Sequence, residues 1–443
     1  MSVLLTSTLV CISIISIIIL TSRLKLKAFI ALFIVSLFLA FTTLPASTIV
    51  STIKEGFGNT MASIGFLIIL GAIIGITLDK TGGTLSIARY ILSKTGENRS
   101  APALGITGFI TGLPIFCDSG FIILSGLAKS FSSKSKLAMP FMATVLATSL
   151  YSVHCLIPPH PGALAAAGLI KVNIGYLIII GTIFAIPGSL AAYYWSRWMT
   201  KGKNYPSAKE VEVDTQLTHD NLPSAFLSFL PIVVPLLLIT FRSLFSLIDK
   251  GGQSLISKIF FFPGEPIFAL SIGVVLAMFL IKDKTIASMN AVFSEAIEKA
   301  GPILIVTAAG GMFGMVIKAT GTGEAMGKLL AGTSIGLVVP FLIAAVMKTA
   351  QGSSTVAIIT TASFVAPMLS MLGLDSEWGR LLVMLSMGAG SMIVSHANDS
   401  YFWVISNFSD IEPDTTLKVY SSSTILMGIV VFACVWITSL IVL

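Results

Sequence analysis

Long apolar runs joined by short polar stretches dominate the chain. Runs near 3–20, 28–45, 60–78, 138–157, 175–196, 225–247, 266–283, 301–318, 378–396 and 417–441 each approach the roughly 20 residues that cross a bilayer as a helix. Ten spans are therefore expected. Two further apolar stretches, 103–130 and 333–371, are interrupted midway, at residues 113–120 (LPIFCDSG) and 351–355 (QGSST). The spans 138–157 and 378–396 also run into polar patches, at 152–162 (SVHCLIPPHPG) and 395–400 (SHANDS). Backbone broken at membrane depth survives only where protein covers it or a wet cavity lies beside it, so these four interruptions are the places to look for chemistry.

Two breaks fall in each half, and the halves resemble one another. Gly71 and Gly75 (GAIIG) with Gly82 match Gly310 and Gly314 (GGMFG) with Gly321, with the same 239-residue step each time. His154 and His396, each near a serine at the end of a long apolar run, follow almost in register. Close-packed membrane helices also repeat small residues at this spacing, but the ordered series of matches favours duplication. The polar stretch 200–224 separates the copies and has the composition of a solvated linker. The expected organisation is thus an N-terminal repeat (1–199, hairpin 103–130), a cytoplasmic linker (200–224) and a C-terminal repeat (225–443, hairpin 333–371).

Basic residues set the orientation. Arg23, Lys25 and Lys27, then Arg89, Lys94 and Arg99, Lys129, Lys134 and Lys136, and Arg197, Lys201 and Lys203 fall on one side only if 103–130 is a re-entrant hairpin. Each half then has about five transmembrane helices plus one re-entrant hairpin. An odd number of crossings inverts the second copy and places both termini outside, with Lys250 and Lys258 as exceptions to the charge rule. The fold class expected is an all-α polytopic membrane protein built of two inverted repeats with broken helices at the midplane.

Composition agrees with this reading. Of 443 residues, 55% are hydrophobic and 11% charged, against roughly 25% charged in soluble domains, so a soluble globular protein is excluded. The net charge of +7 sits in loops as a topology signal and implies a lipid bilayer as partner, not a nucleic acid. The first apolar run has no preceding basic residue and reads as a retained span rather than a signal peptide. Cys11, Cys117, Cys155 and Cys434 stand singly, without disulfide or zinc spacing, and no cofactor is implied.

At the breaks, Asp118 is the most informative residue. A charge at the centre of a membrane helix costs roughly 2.5–3.5 kcal/mol on insertion scales, so Asp118 either caps the returning helix arm or carries a proton or ligand, and burial allows it both roles. His154 and His160 flank Pro158 and Pro159; their six-residue separation is poor for a metal, which leaves a satisfied core histidine, a donor to an anionic ligand or a proton relay. In the second half Gln351, Gly352, Ser353, Ser354 and Thr355 open an apolar helix whose free N–H groups and hydroxyls suit an anion. Lys348 either adds a charge to that cradle or snorkels. Asp399, beside Asn398, repeats the choice between helix cap and ligand contact. Inverted repeats with broken helices are secondary-transporter architecture, and no phosphate-binding loop of an ATP-driven pump is present.

The motifs at 116–121 (FCDSGF), 154–162 (HCLIPPHPG), 350–357 (AQGSSTVA) and 396–400 (HANDS) resemble those of the gluconate permease (GntP) family of proton symporters, in order and over nearly the whole chain. The resemblance implies proton-coupled uptake of a small hydroxylated acid, such as gluconate, idonate, fructuronate or D-serine, across a bacterial inner membrane. It also implies an elevator-type scaffold with a moving transport domain that carries both hairpins. The chain departs from the pattern at Lys348, where members carry Arg, and at Tyr401, where Gly is common. Lys is a point charge where Arg is a bidentate fork.

Substrate contacts are expected from Ser119, Gly120, Ser152, His154, His160, Lys348, Gln351, Gly352, Ser353, Ser354, Thr355, His396, Asn398, Asp399 and Ser400, and proton coupling from Asp118 and His154. The substrate class is gluconate or a related sugar acid, D-glycerate or D-serine. A sodium-coupled carboxylate transporter and an intramembrane enzyme using Asp118, His154 and Asp399 as acid–base groups are the alternatives. The oligomeric state stays open, a homodimer included.

Overall fold

The computed structural model describes residues 3–95, 100–203, 205–208, 222–248, 261–320, 334–370, 372–397 and 399–443. Every regular element among them is helical. In the first half these are α1 (Val3–Ser22), α2 (Ala28–Thr43), α3 (Ala46–Lys80), α4 (Gly83–Thr95), α5 (Ser100–Thr111), α6 (Cys117–Ser135), α7 (Met139–Leu156), α8 (Pro161–Leu169) and α9 (Ile174–Thr200). The second half contains α10 (Ala225–Ile248), α11 (Pro266–Met278), α12 (Ile286–Ala319), α13 (Val338–Gln351), α14 (Ser354–Val365), α15 (Glu377–Met392), α16 (Ser400–Phe408), α17 (Pro413–Thr416) and α18 (Ser422–Val442).

The ten expected spans resolve differently by length. Met139–Leu169, Ile174–Thr200, Ala225–Phe245, Ile286–Ala319 and Pro413–Val442 are each long and apolar enough to cross a membrane, and α3, bent by 41°, makes a sixth. Others are short: α2 has 16 residues and α11 has 13, where about 20 are needed at 1.5 Å per residue. Two helices are much longer than their apolar runs. Helix α3 starts at Ala46 instead of 60, and α12 at Ile286 instead of 301, because their first halves are amphipathic. In α12, Val292, Ala296 and Ala300 are buried while Ile297 is exposed and Lys299 reaches Glu295 at 3.4 Å. Hydropathy averages such a segment to polar, yet a helix accommodates it.

All four breaks are real. Helix α5 ends at Thr111 and α6 starts at Cys117; α7 ends at Leu156 and α8 starts at Pro161; α13 and α14 are parted at Gly352 and Ser353; α15 ends at Met392 and α16 starts at Ser400. At Gly352 the backbone turns left-handed, with φ +84°, a conformation that a side chain would strain. The Ser353 hydroxyl then caps α14 by accepting from Val356 N at 3.3 Å, as Asp399 caps α16 by accepting from Tyr401 N at 3.0 Å. Both are standard helix starts.

Helices α7 and α8 form the core: every residue of α7 (Met139–Leu156) and Pro161–Ala167 of α8 is buried inside the protein. It packs against α5, α6, α9, α14 and α15, which is why a span rich in Thr144, Thr148, Ser149 and Ser152 needs no lipid-facing side. The long α3 and α12 run against each other at the Gly56–Gly311 contact, where an added Cβ on Gly56 would lie 2.7 Å from the Gly311 carbonyl oxygen. Each also packs against the other half: α2 lies on α12 and α11 on α3. The start of the linker is tied down, since Pro206 accepts from Met139 N at 3.0 Å and Ala208 N donates to Ser132 Oγ at 3.0 Å; residues 209–221 lie outside the described set.

Candidate functional site

Four helices, α6, α8, α14 and α16, begin at the breaks, and side-chain contacts join those starts. The Gly162 position of α8 lies so close to α14 that an added Cβ would meet Thr355 Cα at 3.0 Å. Phe121 of α6 stacks edge-on with Tyr401 of α16, ring centroids 6.1 Å apart. Each helix start carries partial positive charge and free N–H groups, so their gathering makes a region favourable to an anion without any formal charge.

The first-half breaks are linked by histidine. His160 Nε2 lies 2.6 Å from the Gly112 carbonyl oxygen. A carbonyl only accepts, so that nitrogen carries the proton in the neutral ring and His160 Nδ1 is left to accept. His154 Nδ1, at 3.2 Å, then donates to it, and His154 Nε2 accepts from the Thr355 hydroxyl at 3.4 Å. One tautomer assignment satisfies all three contacts. The chain Thr355, His154, His160, Gly112 ties the tip of the second hairpin to the tip of the first. The histidines face each other, and among the described residues no three His, Cys, Asp or Glu side chains converge as metal ligands.

Lys348 does not snorkel. It is fully buried, its ammonium donates to the Gly352 carbonyl at 2.5 Å and pairs with the Asp399 carboxylate, and it stands 5.7 Å from the centre of the Tyr151 ring. Asp399 Oδ2 also accepts from the Ser395 hydroxyl, which in turn accepts from Tyr420 OH at 3.0 Å. Asp399 is therefore both helix cap and counter-ion. Asp118, in the first turn of α6, has the opposite situation: its Oδ1 is buried with no hydrogen-bond partner in the structure, within electrostatic reach of Asp399 and Lys348.

Other expected site residues are dispersed. Ser152 faces α9, at 2.6 Å from Ser189 Oγ, and is not brought to the breaks. Gln351 turns toward α1, donating to Thr21 Oγ1 at 2.8 Å, while its Oε1 is buried and unpartnered. His396 contacts the Thr349 carbonyl at 3.1 Å. Ser119 is half-buried, Gly120 is packed against Ile115 and Leu150, Ser354 is buried and Ser400 is exposed. Asn398 lies outside the described residues. Sequence reasoning missed Tyr151, Tyr420 and Thr21, and named Ser395 only as part of the 395–400 patch. Tyr420 had a signal, the polar run 420–424 (YSSST) inside an apolar span, and the structure places a π-helical turn there, at Leu417–Ser421. Thr21 had none.

A cavity of about 590 Å³ lies elsewhere, at the far ends of α8 and α14, lined by Lys171, Lys318, Ser363, Asp375 and Arg380 among others. At the helix starts themselves Lys348 pairs with Asp399 and His154 with His160 and Thr355, while Asp118 Oδ1 and Gln351 Oε1 have no partner.

Comparison with known proteins fits this geometry. The model of the GntP family permeases matches residues 5–441. The chain is 30% identical to the inner membrane permease YgbN of Escherichia coli (strain K12), over 97% of this chain and 98% of that one. It is 29% identical to a gluconate permease of Pseudomonas aeruginosa, over 97% and 96%. Among solved structures, Neisseria gonorrhoeae MtrF superposes with a TM-score of 0.65 at 14% identity, covering 89% of this chain and 86% of that one, a likeness of fold. The intramembrane-enzyme alternative falls with these matches, and the chain is a multi-pass inner-membrane transporter that belongs to the GntP permease family.

Proposed function

We propose that this transporter imports gluconate or a related small hydroxylated carboxylate together with a proton, and that the four gathered helix starts form its binding site. The observation that carries the reading is the pairing state of the buried charges. Lys348 is already neutralised by Asp399, which leaves Asp118 as an unmatched carboxyl with an unpartnered oxygen. An anionic substrate arriving beside an ionised Asp118 would be repelled; with a proton on Asp118 it would not. Proton and carboxylate occupancy are thereby linked, and each raises the affinity of the other by the same factor. Ser353 supplies a hydroxyl hydrogen for the carboxylate or hydroxyls, and Thr355 supplies another by exchanging His154 Nε2 for the substrate. The gluconate permease relative supports the acid. Uptake of labelled gluconate into proteoliposomes tests the reading: an imposed inward proton gradient should drive accumulation, and accumulation driven by sodium alone would replace proton coupling with sodium coupling.

The halves behave as inverted repeats in this reading, with α3 and α12 as a scaffold and both hairpins in a moving unit. Reciprocal packing of α2 on α12 and of α11 on α3 supports it. So does an asymmetry. On α3, Gly71 and Gly75 lie against Pro159 and Pro114 at the breaks, an added Cβ meeting their carbonyl oxygens at 3.1 and 2.7 Å. The matching Gly310 and Gly314 of α12 lie instead against Ser363, eleven residues beyond the Gly352 tip. At 1.5 Å per helical residue that is about 16 Å, the offset expected if the mobile unit rests at one end of its travel.

A further inference from the structure

The proposed function leaves unexplained how Lys348 can stay buried when no substrate is bound. A desolvated ammonium without a counter-charge is strongly destabilising, and a carrier must also return empty. In this structure the Asp399 carboxylate takes a lysine ammonium, a serine hydroxyl and a helix-start N–H from Lys348, Ser395 and Tyr401. These are the three kinds of donor that a free carboxylate would seek at a broken-helix site. Within electrostatic reach of Asp399 stand Lys348 from α13, Tyr420 from the π-turn, Tyr401 from α16, Tyr151 and Cys155 from α7, and Cys117 and Asp118 from α6, the last with its Oδ1 unpartnered.

We infer that Asp399 is an internal stand-in for the substrate's carboxylate: it occupies Lys348 in the empty carrier, and the incoming acid competes with it for that ammonium. The inference rests on the carboxylate-transport reading and adds a second role for the ion pair. No covalent bond changes. One Lys348–carboxylate contact is exchanged for another, Asp399 keeps Ser395 and the Tyr401 N–H, and the proton that enters with the acid sits on Asp118, so the pocket's net charge is the same empty and loaded. Asp399 thus holds affinity down and permits release and empty return.

Two variants move affinity in opposite directions. Asp399→Asn removes the competitor and should bind gluconate about tenfold tighter, retain exchange of labelled for unlabelled gluconate across proteoliposomes, and lose tenfold or more of net downhill flux, because the empty carrier would carry a bare ammonium. Ser395→Ala removes a donor from Asp399, increases its hold on Lys348, and should weaken gluconate binding severalfold while leaving the fold intact. A purely structural ion pair predicts otherwise: Asp399→Asn would weaken or leave unchanged the affinity, or exchange and net flux would fall together, and either result overturns the inference. If Asp399→Asn fails to fold, the Ser395→Ala affinity decides, unchanged or tighter binding being the refuting result. Absence of any gluconate or sugar-acid binding to the wild-type transporter would instead refute the functional reading beneath it.

Discussion

Lys348 and Asp118 show how much a single residue's meaning depends on its partners. Both are charged groups in apolar sequence, and both were legible there as anomalies. The fold separates them: one is paired twice over, the other has an oxygen with no partner. If Lys348 contributes to substrate binding, Lys348→Met and Ser353→Ala should each weaken gluconate affinity, the first by tenfold or more since it also strands Asp399; isothermal titration on purified protein reads this directly. Unchanged affinity in both would make the pair a structural tie alone. Asp118→Asn, a fixed mimic of the protonated carboxyl, should retain gluconate binding and exchange and lose accumulation driven by a pH gradient. Persistence of that accumulation would move the proton role to His154, whose contacts with His160 and Thr355 leave it the next titratable group in the chain of tips.

At the scale of elements, the broken helices depend on two kinds of local instruction. One is the αL turn at Gly352, which lets the Lys348 side chain reach the tip carbonyl; Gly352→Ala should cost about 1–2 kcal/mol and lower the thermal midpoint in detergent while disturbing substrate affinity. The other is close approach of backbone to backbone, as at Gly75 beneath Pro114. These glycines were visible as a repeated pattern, but what they touch was not, because a small residue records that something comes close without saying what. The amphipathic first halves of α3 and α12 were invisible to a hydropathy average for the same reason that they are stable: their polar residues lie on one face, away from Val292, Ala296 and Ala300.

For the whole molecule, inverted repeats predict sidedness and motion. A cysteine at the exposed Lys136 should label from the cytoplasm and one at the exposed Glu377 from outside; labelling of both from one side would end the inverted-repeat reading. If the mobile unit travels about 16 Å, symmetry brings the Gly71–Gly75 face of α3 against α6 near Gly126, around which space is now open, so cysteines at Leu78, on the same helical face, and Gly126 should crosslink only during turnover. What the sequence determined by itself is the membrane class, the four breaks, the family and the short roster of polar groups, because hydropathy, helix-breaking residues and buried-charge cost act locally and leave marks in the order of residues. Only the tertiary structure decided that Lys348 meets Asp399 across 51 positions, that His154 meets Thr355 across 201, and that Ser152 meets Ser189 of α9. Those pairings depend on which helix faces which in a fully buried core, a choice made by packing over the whole chain and recorded in no single segment of it.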